Sequence, residues 1–250
     1  MAARMRQSTK TILAVDVGGT HVKMMTDRAL IKREFPSGKQ LSAKAMVKKV
    51  KALTDDWSYD VVSVGYPGTV VANRPSAEPH NLGRGWAGFD FERAFGRPTR
   101  VVNDALMQAL GSYEGGKMLF LGLGTGLGSA MIVDGVLQPL ELGHLPYRKG
   151  GTFEDFVGAA FLERRGKKRW RRNVEDVVKR LVAALQPEYV VIGGGNAGKL
   201  DKLPPNTQLG SNNDAFKGGF ELWRTGAVER SRNKPAERRV ASSSQSGTSG

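Results

Sequence analysis

The stretch that decides the fold reads Ile12-Leu13-Ala14-Val15-Asp16-Val17-Gly18-Gly19-Thr20-His21-Val22-Lys23. An apolar strand, a two-glycine reversal and a second strand are typical of a tight hairpin whose backbone can approach a ligand closely. Asp16 ends the first strand, and Gly18, Gly19 and Thr20 offer N–H groups and a hydroxyl to a phosphate. A phosphate site beside a carboxylate suggests Mg²⁺ as well. An ordinary hairpin with a Gly-Gly turn is the alternative that this stretch alone leaves open.

The same pattern returns later in the chain. Residues 119–135 again give an apolar strand, a Gly/Thr reversal and an apolar strand, with the turn built from Gly124, Thr125 and Gly126. Two copies of one pattern indicate two related half-domains that face each other. We therefore expect each half to contribute one phosphate-binding hairpin to a shared cleft.

The composition narrows the class of protein. The 250 residues are enough to bury a full core, and 40% of them are hydrophobic, as in a globular chain. We expect no membrane span and no secretory signal, because no apolar run approaches 18 residues and Met1 to Lys10 has no apolar core. Zero cysteines exclude disulfides and thiolate metal sites and fit a cytoplasmic location.

The net charge of +14 is concentrated in two segments. Glu163 to Arg172 carries seven Lys/Arg against one Glu, and Arg224 to Gly250 carries six against two. This uneven distribution makes nucleic acid an improbable partner. The segment from about Thr225 has too few apolar residues to fold, and we expect it to be disordered.

The first half alternates helices and strands. Periodicity predicts a helix over Leu41–Leu53, a strand over Asp60–Gly65, a helix over Phe89–Phe95 and a strand over Thr99–Val102. Residues 72–88 are rich in Pro, Asn and Gly and predict a long loop. Asn81 and Trp86 are prominent in this loop, where an anchoring Trp with a capping Asn is the default interpretation.

Asn103 and Asp104 stand at the end of a strand and just before a helix predicted over Ala105–Ser112. A carboxylate in that position can cap the helix. It can equally act as the general base toward a substrate hydroxyl, with the neighbouring amide binding an adjacent hydroxyl. The residues alone leave both roles open.

The second hairpin continues into Glu141 and His144, which lie three residues apart. They suit a hydroxyl-binding pair, a polar pair in a loop or metal ligands, with metal ranked last because no cysteine is present. Thr152 and Asp155 form a capping box that opens a helix extending through Phe161, with Glu154 in its first turn.

The last part of the chain is predicted to hold two helices around a buried strand. Asn173 with Asp176 begins a helix that Pro187 ends, and Tyr189–Ile192 is the strand. Gly193, Gly194 and Gly195 follow the strand, and a helix after them would complete a nucleotide site; a plain triple-glycine bend is the alternative. Asn213–Trp223 predicts a closing helix.

In chain order these motifs form one set: Asp16-Val17-Gly18-Gly19-Thr20 with Lys23, Gly65-Tyr66-Pro67-Gly68, Asn81-Leu82 with Trp86, Val102-Asn103-Asp104, Gly122-Leu123-Gly124-Thr125-Gly126-Leu127-Gly128, Glu141-Leu142-Gly143-His144 and Gly193-Gly194-Gly195. The set resembles the ROK-family sugar kinases, and within that family the polyphosphate glucokinases. The resemblance extends over about Thr11 to Trp223.

The resemblance implies an α/β fold of the actin-like ATPase (ribonuclease H) type, with two lobes around a cleft. We expect a small lobe over residues 11–104, a larger but trimmed lobe over 105–224 and the disordered segment 225–250. The activity implied is phosphoryl transfer to the 6-hydroxyl of glucose, or of another hexose or hexosamine, from polyphosphate and/or ATP.

The resemblance also assigns roles to the motif residues. Asp104 is the base that takes the proton of the sugar 6-hydroxyl. The sugar-binding residues are Asn81, Asn103, Glu141, His144 and Glu154. Phosphates are held by Asp16, Gly18, Gly19, Thr20, Lys23, Gly124, Thr125, Gly126, Gly194 and Gly195, with the last two near an adenosine if ATP is the donor. Asp16 lies near Mg²⁺, directly or through water.

Two departures from the family change the expectation. Many members carry a cysteine-rich zinc motif after the Glu-x-Gly-His segment, and this chain has none, so we predict no structural zinc. The segment between His144 and Gly193 is shorter than usual, which indicates a trimmed second lobe. A homodimer is also expected, and no membrane partner.

Sugar-sensing regulators of the family carry a DNA-binding domain before the first hairpin. Here about ten residues precede Thr11, so we do not expect one. The basic run Arg164–Arg172 is interpreted as a track for a polyanionic donor, with a solvated helix end and a nucleic-acid patch as alternatives.

Overall fold

The computed structural model describes residues 10–211 and 213–224; the predicted disordered segment lies outside them. In chain order the first part contains β1 (Ile12–Val17), β2 (His21–Thr26), β3 (Arg33–Pro36), α1 (Ala43–Leu53), β4 (Val61–Tyr66), β5 (Val70–Val71), β6 (Arg74–Pro75), α2 (Phe91–Phe95), β7 (Thr99–Asn103) and α3 (Asp104–Gly111).

The second part contains β8 (Lys117–Leu123), β9 (Leu127–Val133), β10 (Val136–Leu140), α4 (Phe153–Val157), α5 (Ala159–Arg165), α6 (Lys167–Leu185), β11 (Tyr189–Gly193), β12 (Thr207–Leu209) and α7 (Asp214–Arg224). Short 3₁₀ turns cover Leu142–His144 and Ala197–Lys199. No helix in the described ranges is both long enough and apolar enough to cross a bilayer.

Two five-stranded sheets repeat one topology. The first has the strand order β3-β2-β1-β4-β7 and the second β10-β9-β8-β11-β12. In each sheet a hairpin and its third strand are antiparallel, and the remaining two strands run parallel to the first strand of the hairpin. The predicted α/β fold of two related lobes is confirmed. The predicted residue boundaries of the lobes remain a prediction.

The two lobes are joined by a close crossing of α3 and α7. A Cβ atom on Gly218 would overlap the carbonyl oxygen of Met107, and one on Gly111 would overlap that of Asp214. Helix α3 packs on the second sheet, whereas α7 returns to the first sheet, where Phe216 and Phe220 are buried against β1 and β4. The backbone of α7 is fixed there by Ser63, whose hydroxyl donates to the carbonyl of Gly219 at 2.5 Å. Glycine at the crossing is therefore required by the approach of two backbones.

Three helix predictions need correction. Helix α6 begins at Lys167 and not at Asn173, because Trp170 is fully buried in its first turns and Asn173 donates to the carbonyl of Phe156 at 3.1 Å rather than capping. The helix predicted through Phe161 is broken at Gly158 into α4 and α5. After the triple glycine there is only the short 3₁₀ turn, and not an α-helix.

The break at Gly158 has a physical reason. A Cβ atom there would lie 2.6 Å from the carbonyl oxygen of Thr125, so the second hairpin packs directly on this point of the chain. The next N–H, that of Ala159, donates to the carbonyls of Gly124 and Thr125 at 3.1 Å each. The chain leaves helical geometry here to bond the turn of the second hairpin. Five short or edge strands were also not predicted: β3, β5, β6, β10 and β12. Of these, β6 lies inside the stretch 72–88 that was expected to be loop.

Candidate active site

Three parallel strands bring the first set of predicted residues together. In the sheet register Asp16 lies beside Gly65, Gly65 beside Val102, and Tyr66 beside Asn103. Because the carboxyl ends of β1, β4 and β7 meet at one edge, Asp16 and Asp104 face the same space. A Cβ on Gly65 would lie 2.5 Å from the Met107 methyl and 3.5 Å from the Asp104 Cα. The missing side chain lets α3 begin against the end of β4.

The structure separates the two roles that the sequence left open at Asn103 and Asp104. Asn103 is the N-cap of α3, and its Oδ1 accepts a hydrogen bond from the N–H of Leu106 at 3.1 Å. Its Nδ2 donates to the carbonyl of Gly68 at 3.2 Å. The asparagine therefore takes the capping role, and the Asp104 carboxylate, in the first turn of α3, is available for chemistry.

The electrostatic environment of Asp104 is that of a proton acceptor. Burial raises the pKa of Asp104 to about 7, and the nearby Asp16 carboxylate adds to this, with a smaller contribution from Glu141. The N–H of Ala105 donates to Oδ1 at 2.8 Å, which opposes the rise in pKa. The same interactions place Asp16 and Glu141 close enough to Asp104 to act on its charge.

Asp16 is a second carboxylate whose charged form is disfavoured by burial. Burial raises its pKa, and Lys23, which is its partner across the β1–β2 ladder, lowers it. One or two carboxylates together with donor phosphates are the usual protein ligands of Mg²⁺, so Asp16 fits that ion. Within the ranges that the structure describes there is no cluster of three or more His, Cys, Asp or Glu that could hold a metal by itself.

Each hairpin turn leaves two N–H groups for a ligand. In the first turn the N–H of Gly18 donates to the carbonyl of His21 at 3.0 Å, whereas those of Gly19 and Thr20 bond no acceptor among the described residues. The hydroxyl of Ser37 donates to the Gly18 carbonyl at 2.7 Å and fixes the turn from outside. Gly18 thus shapes the turn, and the next two amides can meet an anion.

The second turn likewise has one bonded and two free N–H groups. The N–H of Gly124 donates to the carbonyl of Gly126 at 3.2 Å, and the N–H groups of Thr125 and Gly126 bond no acceptor in the described part of the chain. The two turns face each other, because a Cβ on Gly19 would lie 3.9 Å from the Thr125 hydroxyl oxygen. Asn81 lies beside them, with its Cβ 3.5 Å from the same point.

The residues assigned to the sugar border the second turn. Glu141 precedes the 3₁₀ turn that carries His144, and Glu154 lies in the first turn of α4. The Nε2 of His144 is 3.9 Å from Oε1 of Glu154, and the two side chains are 62% and 40% exposed. The other oxygen of Glu154 accepts a long bond of 3.4 Å from the N–H of Leu127. These polar groups are open to a ligand in the cleft.

The glycines after β11 support the second turn from behind. Gly194 has φ +84°, and a Cβ on it would lie 2.5 Å from the Leu123 carbonyl oxygen, whereas Gly195 is open. Asn196 donates from its N–H to Leu123 at 2.9 Å and from its side chain to the Gly124 carbonyl at 3.1 Å. No local pattern singles out Asn196, because its bonds to the second turn depend on packing between distant segments.

The basic run forms an exposed surface at the start of α6. One residue of the run, Arg171, forms an ion pair with Asp201. Six others are exposed, and no ion pair within the described residues involves them: Arg164, Arg165, Lys167, Lys168, Arg169 and Arg172. We call these six residues the basic surface. Helix α5, which is seven residues or about 10 Å long, connects it to the second turn.

Two related lobes with facing glycine turns and carboxylates at strand ends have the actin-like ATPase fold. Comparison of sequences agrees, because the family described as "ROK family" matches residues 12–151, which is more than half of the chain. The chain therefore belongs to the ROK family.

The chain is also similar to individual kinases. It is 27% identical over 217 residues to a polyphosphate glucokinase of Mycobacterium tuberculosis, covering 76% of this chain and 80% of that one. It is 28% identical over 243 residues to a glucokinase of Pyrobaculum calidifontis, covering 74% and 79%. The crystal structure of an inorganic polyphosphate/ATP-glucomannokinase from Arthrobacter sp. strain KM has the same fold, with a TM-score of 0.75, 24% identity and coverage of 86% and 98%.

Proposed function

We propose that this protein transfers a phosphoryl group to the 6-hydroxyl of glucose or a similar hexose, with polyphosphate and/or ATP as the donor. The observation that carries the proposal is the position of Asp104, a partly buried carboxylate with a pKa of about 7 that begins α3 beside Gly65 and close enough to Asp16 to interact with its charge. A pKa near the working pH is what a general base requires.

In the proposed reaction Asp104 accepts the proton of the sugar hydroxyl while that oxygen attacks the terminal phosphorus of the donor. A new O–P bond forms, the bond to the donor's bridging oxygen breaks, and the shortened donor leaves with the electron pair. Such a transfer depends on positioning and on neutralising charge more than on covalent help.

The charge is neutralised from both lobes. The free amides of Gly19 and Thr20 and those of Thr125 and Gly126 can donate to phosphate oxygens. Lys23 adds a positive charge beside the first turn. Mg²⁺, when bound at Asp16, would offset the negative charge of the phosphates.

The sugar is held, in this proposal, by groups around the second turn. Glu141, His144 and Glu154 present exposed polar atoms, and Asn103 keeps one N–H beyond its cap and its bond to Gly68. A site built from such hydrogen bonds rejects sugars that lack the matching hydroxyl. Glucose is the first candidate, because both curated relatives are named glucokinases.

Polyphosphate as a donor is supported by the basic surface. ATP presents few charges, and the turns and Mg²⁺ suffice for them, whereas a long polyphosphate repeats its charge along the chain. Each phosphate that a cation neutralises releases counterions, which favours binding. The relative from Mycobacterium tuberculosis and the structural neighbour from Arthrobacter are both named for polyphosphate.

The direct test is a coupled assay that crosses glucose, mannose, glucosamine and N-acetylglucosamine with ATP and polyphosphate. We expect phosphorylation of glucose, and expect Asp104→Asn to abolish it with every pair. If no sugar is phosphorylated with either donor, the proposal fails, and a non-catalytic sugar sensor becomes the better interpretation.

The donor is tested by reversing charge at the basic surface. Lys167, Lys168 and Arg169 are changed together to Glu, and the matched control makes the same change at the exposed Lys44, Lys48 and Lys51 of α1. We expect a steep rise of KM for long-chain polyphosphate only in the first variant, largest at low salt, with KM for ATP and glucose nearly unchanged. Equal effects on both donors would contradict the polyphosphate track.

A homodimer and a cytoplasmic location belong to the same proposal. Sedimentation of the purified protein tests the dimer, with a mass near twice 27.1 kDa as the expected result.

A further inference from the structure

One carboxylate outside the cleft collects three donors. Oδ2 of Asp176, on α6, accepts the Tyr147 hydroxyl at 2.5 Å, the Nη2 of Arg148 at 3.0 Å and the Nε of Arg180 at 3.0 Å. Two of these donors come from the loop that follows His144. The proposed reaction does not use Asp176, so its bonds to this loop need another explanation.

The loop of residues 145–152 connects two of the proposed sugar-binding residues. It begins directly after His144 and ends at the cap of α4, which carries Glu154. The loop is closed on itself by an isolated bridge between Pro146 and Thr152, and the N–H of Phe153 donates to the carbonyl of Leu145 at 3.0 Å. Whatever fixes this loop therefore fixes both sides of the pair His144 and Glu154.

The Tyr147 ring links the loop to α4. Its centroid is 5.3 Å from that of Phe153 and 5.2 Å from that of Phe156, both in edge-to-face geometry, and these two residues flank Glu154 in the chain. Arg148 and Arg180 cover the ring as cations, at 4.7 and 5.6 Å from its centroid. The hydroxyl of this held ring is the group that reaches Asp176.

Tyr147 and Asp176 each keep one protonation state near neutral pH. Burial raises the pKa of Tyr147 to about 12, with the bond to Asp176 adding to it, so the hydroxyl stays a donor. That same hydrogen bond is the main cause that lowers the pKa of Asp176, which stays a carboxylate. A charge-assisted bond of this kind is about twice as strong as one between neutral groups.

We propose that Asp176 is a positioning residue for sugar binding, which acts through Tyr147 to hold His144 and Glu154 at the spacing that the sugar requires. The inference rests on the proposed function, because His144 and Glu154 are sugar-binding residues only there. The two side chains are 3.9 Å apart and 62% and 40% exposed, so their relative position depends on the backbone segments that carry them. The Tyr147–Asp176 bond ties both segments to the 19-residue helix α6.

The test compares Tyr147→Phe and Asp176→Asn with the matched control Glu175→Gln. Glu175 is the exposed neighbour of Asp176 on α6, and its change removes the same charge without touching the loop. We expect the first two variants to raise KM for glucose about tenfold and to leave KM for the donor within about twofold, since misplaced binding groups affect the sugar alone. The control should change neither value.

The double variant separates positioning from general loss of stability. Because both single changes act on the same bond between Tyr147 and Asp176, the double variant should raise KM for glucose no more than the stronger single one. Thermal unfolding is followed alongside, and Tyr147→Phe, which keeps the ring, provides the folded variant if Asp176→Asn fails to fold. Lower melting temperatures with an unchanged KM for glucose, or equal rises of sugar and donor KM, would overturn the inference.

The outcome is distinguishable from failure of the proposed function. If His144→Ala and Glu154→Gln leave KM for glucose unchanged, the sugar assignment itself is wrong. If those two variants raise KM for glucose and the Tyr147 and Asp176 variants do not, the sugar assignment stands and the positioning role is wrong.

Discussion

The hairpins of the two lobes have the same strand pairing but different residues in the second pair from the turn. In the first lobe Asp16 and Lys23 face each other one pair before the last pair of the hairpin, whereas the second lobe has Gly122 and Gly128 at that pair. Beside its turn, the first hairpin thus offers charges as well as amides, whereas the second offers amides and a hydroxyl without charges. The difference indicates that a repeated backbone supplies free turn amides in both lobes, whereas only the first lobe has charged side chains in the second pair from its turn.

The contacts of the second lobe explain its glycines. A Cβ on Gly128 would lie 3.0 Å from the Ala105 Cβ, because α3 packs against the base of that hairpin. In the first lobe the corresponding helix, α7, approaches β1 closely at Gly219, where a Cβ would lie 2.7 Å from the Ala14 Cβ. The end of β1 is therefore left free for charged side chains.

Replacing the Asp104 carboxylate, next to the first hairpin, should have the largest effect on turnover. Asp104→Asn keeps the shape of the side chain but accepts no proton, so turnover should fall about 10²- to 10⁴-fold. Asp55→Asn, at an exposed site in the same lobe, is the control and should leave turnover unchanged. Near-normal turnover in the Asp104 variant would rule it out as the base.

Separating the two lobes at their crossing should have the next largest effect. Gly218→Ala pushes α7 away from the Met107 carbonyl, and we expect it to lower the free energy of unfolding by about 3 kcal/mol. Gly198→Ala is the matched control, because a Cβ there meets nothing within 4 Å. Urea unfolding measures both, and equal stability of the two variants would contradict this packing of the lobes.

The raised pKa of Asp104 should also appear as a stability effect. The folded protein holds a proton there up to about pH 7, whereas the unfolded chain releases it near pH 4, so this group destabilises the fold as pH rises through that window. A shift of this size corresponds to about 4 kcal/mol. Because Asp104 is only partly buried, solvent reduces the effect, and we expect Asp104→Asn to stabilise the ligand-free protein by about 2 kcal/mol at pH 8 and to change little at pH 4. If the difference in stability between the variant and the wild type is the same at pH 8 and pH 4, the pKa of Asp104 is not raised in the folded protein.

Changing the polar residues beside the second hairpin should have the smallest effect. Glu141→Gln and His144→Ala should each raise KM for the sugar about tenfold, roughly 1.4 kcal/mol, while KM for the donor stays nearly constant. If the purified wild-type protein contains stoichiometric zinc and the His144→Ala variant does not, the assignment of this pair to the sugar is contradicted.

Local patterns predicted the parts of the molecule that depend on neighbours in sequence. The two hairpins, the strand before Asn103 and the capping box at Thr152 follow from alternation, glycine pairs and side-chain spacing, and the structure has all of them. The repeat predicted two related half-domains, and the actin-like fold class followed from the resemblance of the ordered motifs to the ROK family. That Gly18 and Gly124 close their own turns did not follow, because it depends on backbone geometry.

The rest depends on contacts between distant segments. The break at Gly158 exists because the second hairpin packs there, and the early start of α6 follows from the burial of Trp170. Neither feature leaves a periodic signal in the sequence. Likewise, the spacing of polar residues gave no reason to connect Tyr147 with Asp176, since 29 residues separate them.

The central claim is that Asp104 takes the proton of the sugar hydroxyl, and the pH dependence of kcat/KM for glucose tests it most directly. With saturating donor, the rate should fall as the pH drops through about 7, because protonated Asp104 cannot act as the base. A kcat/KM that stays constant down to pH 5 would contradict the account.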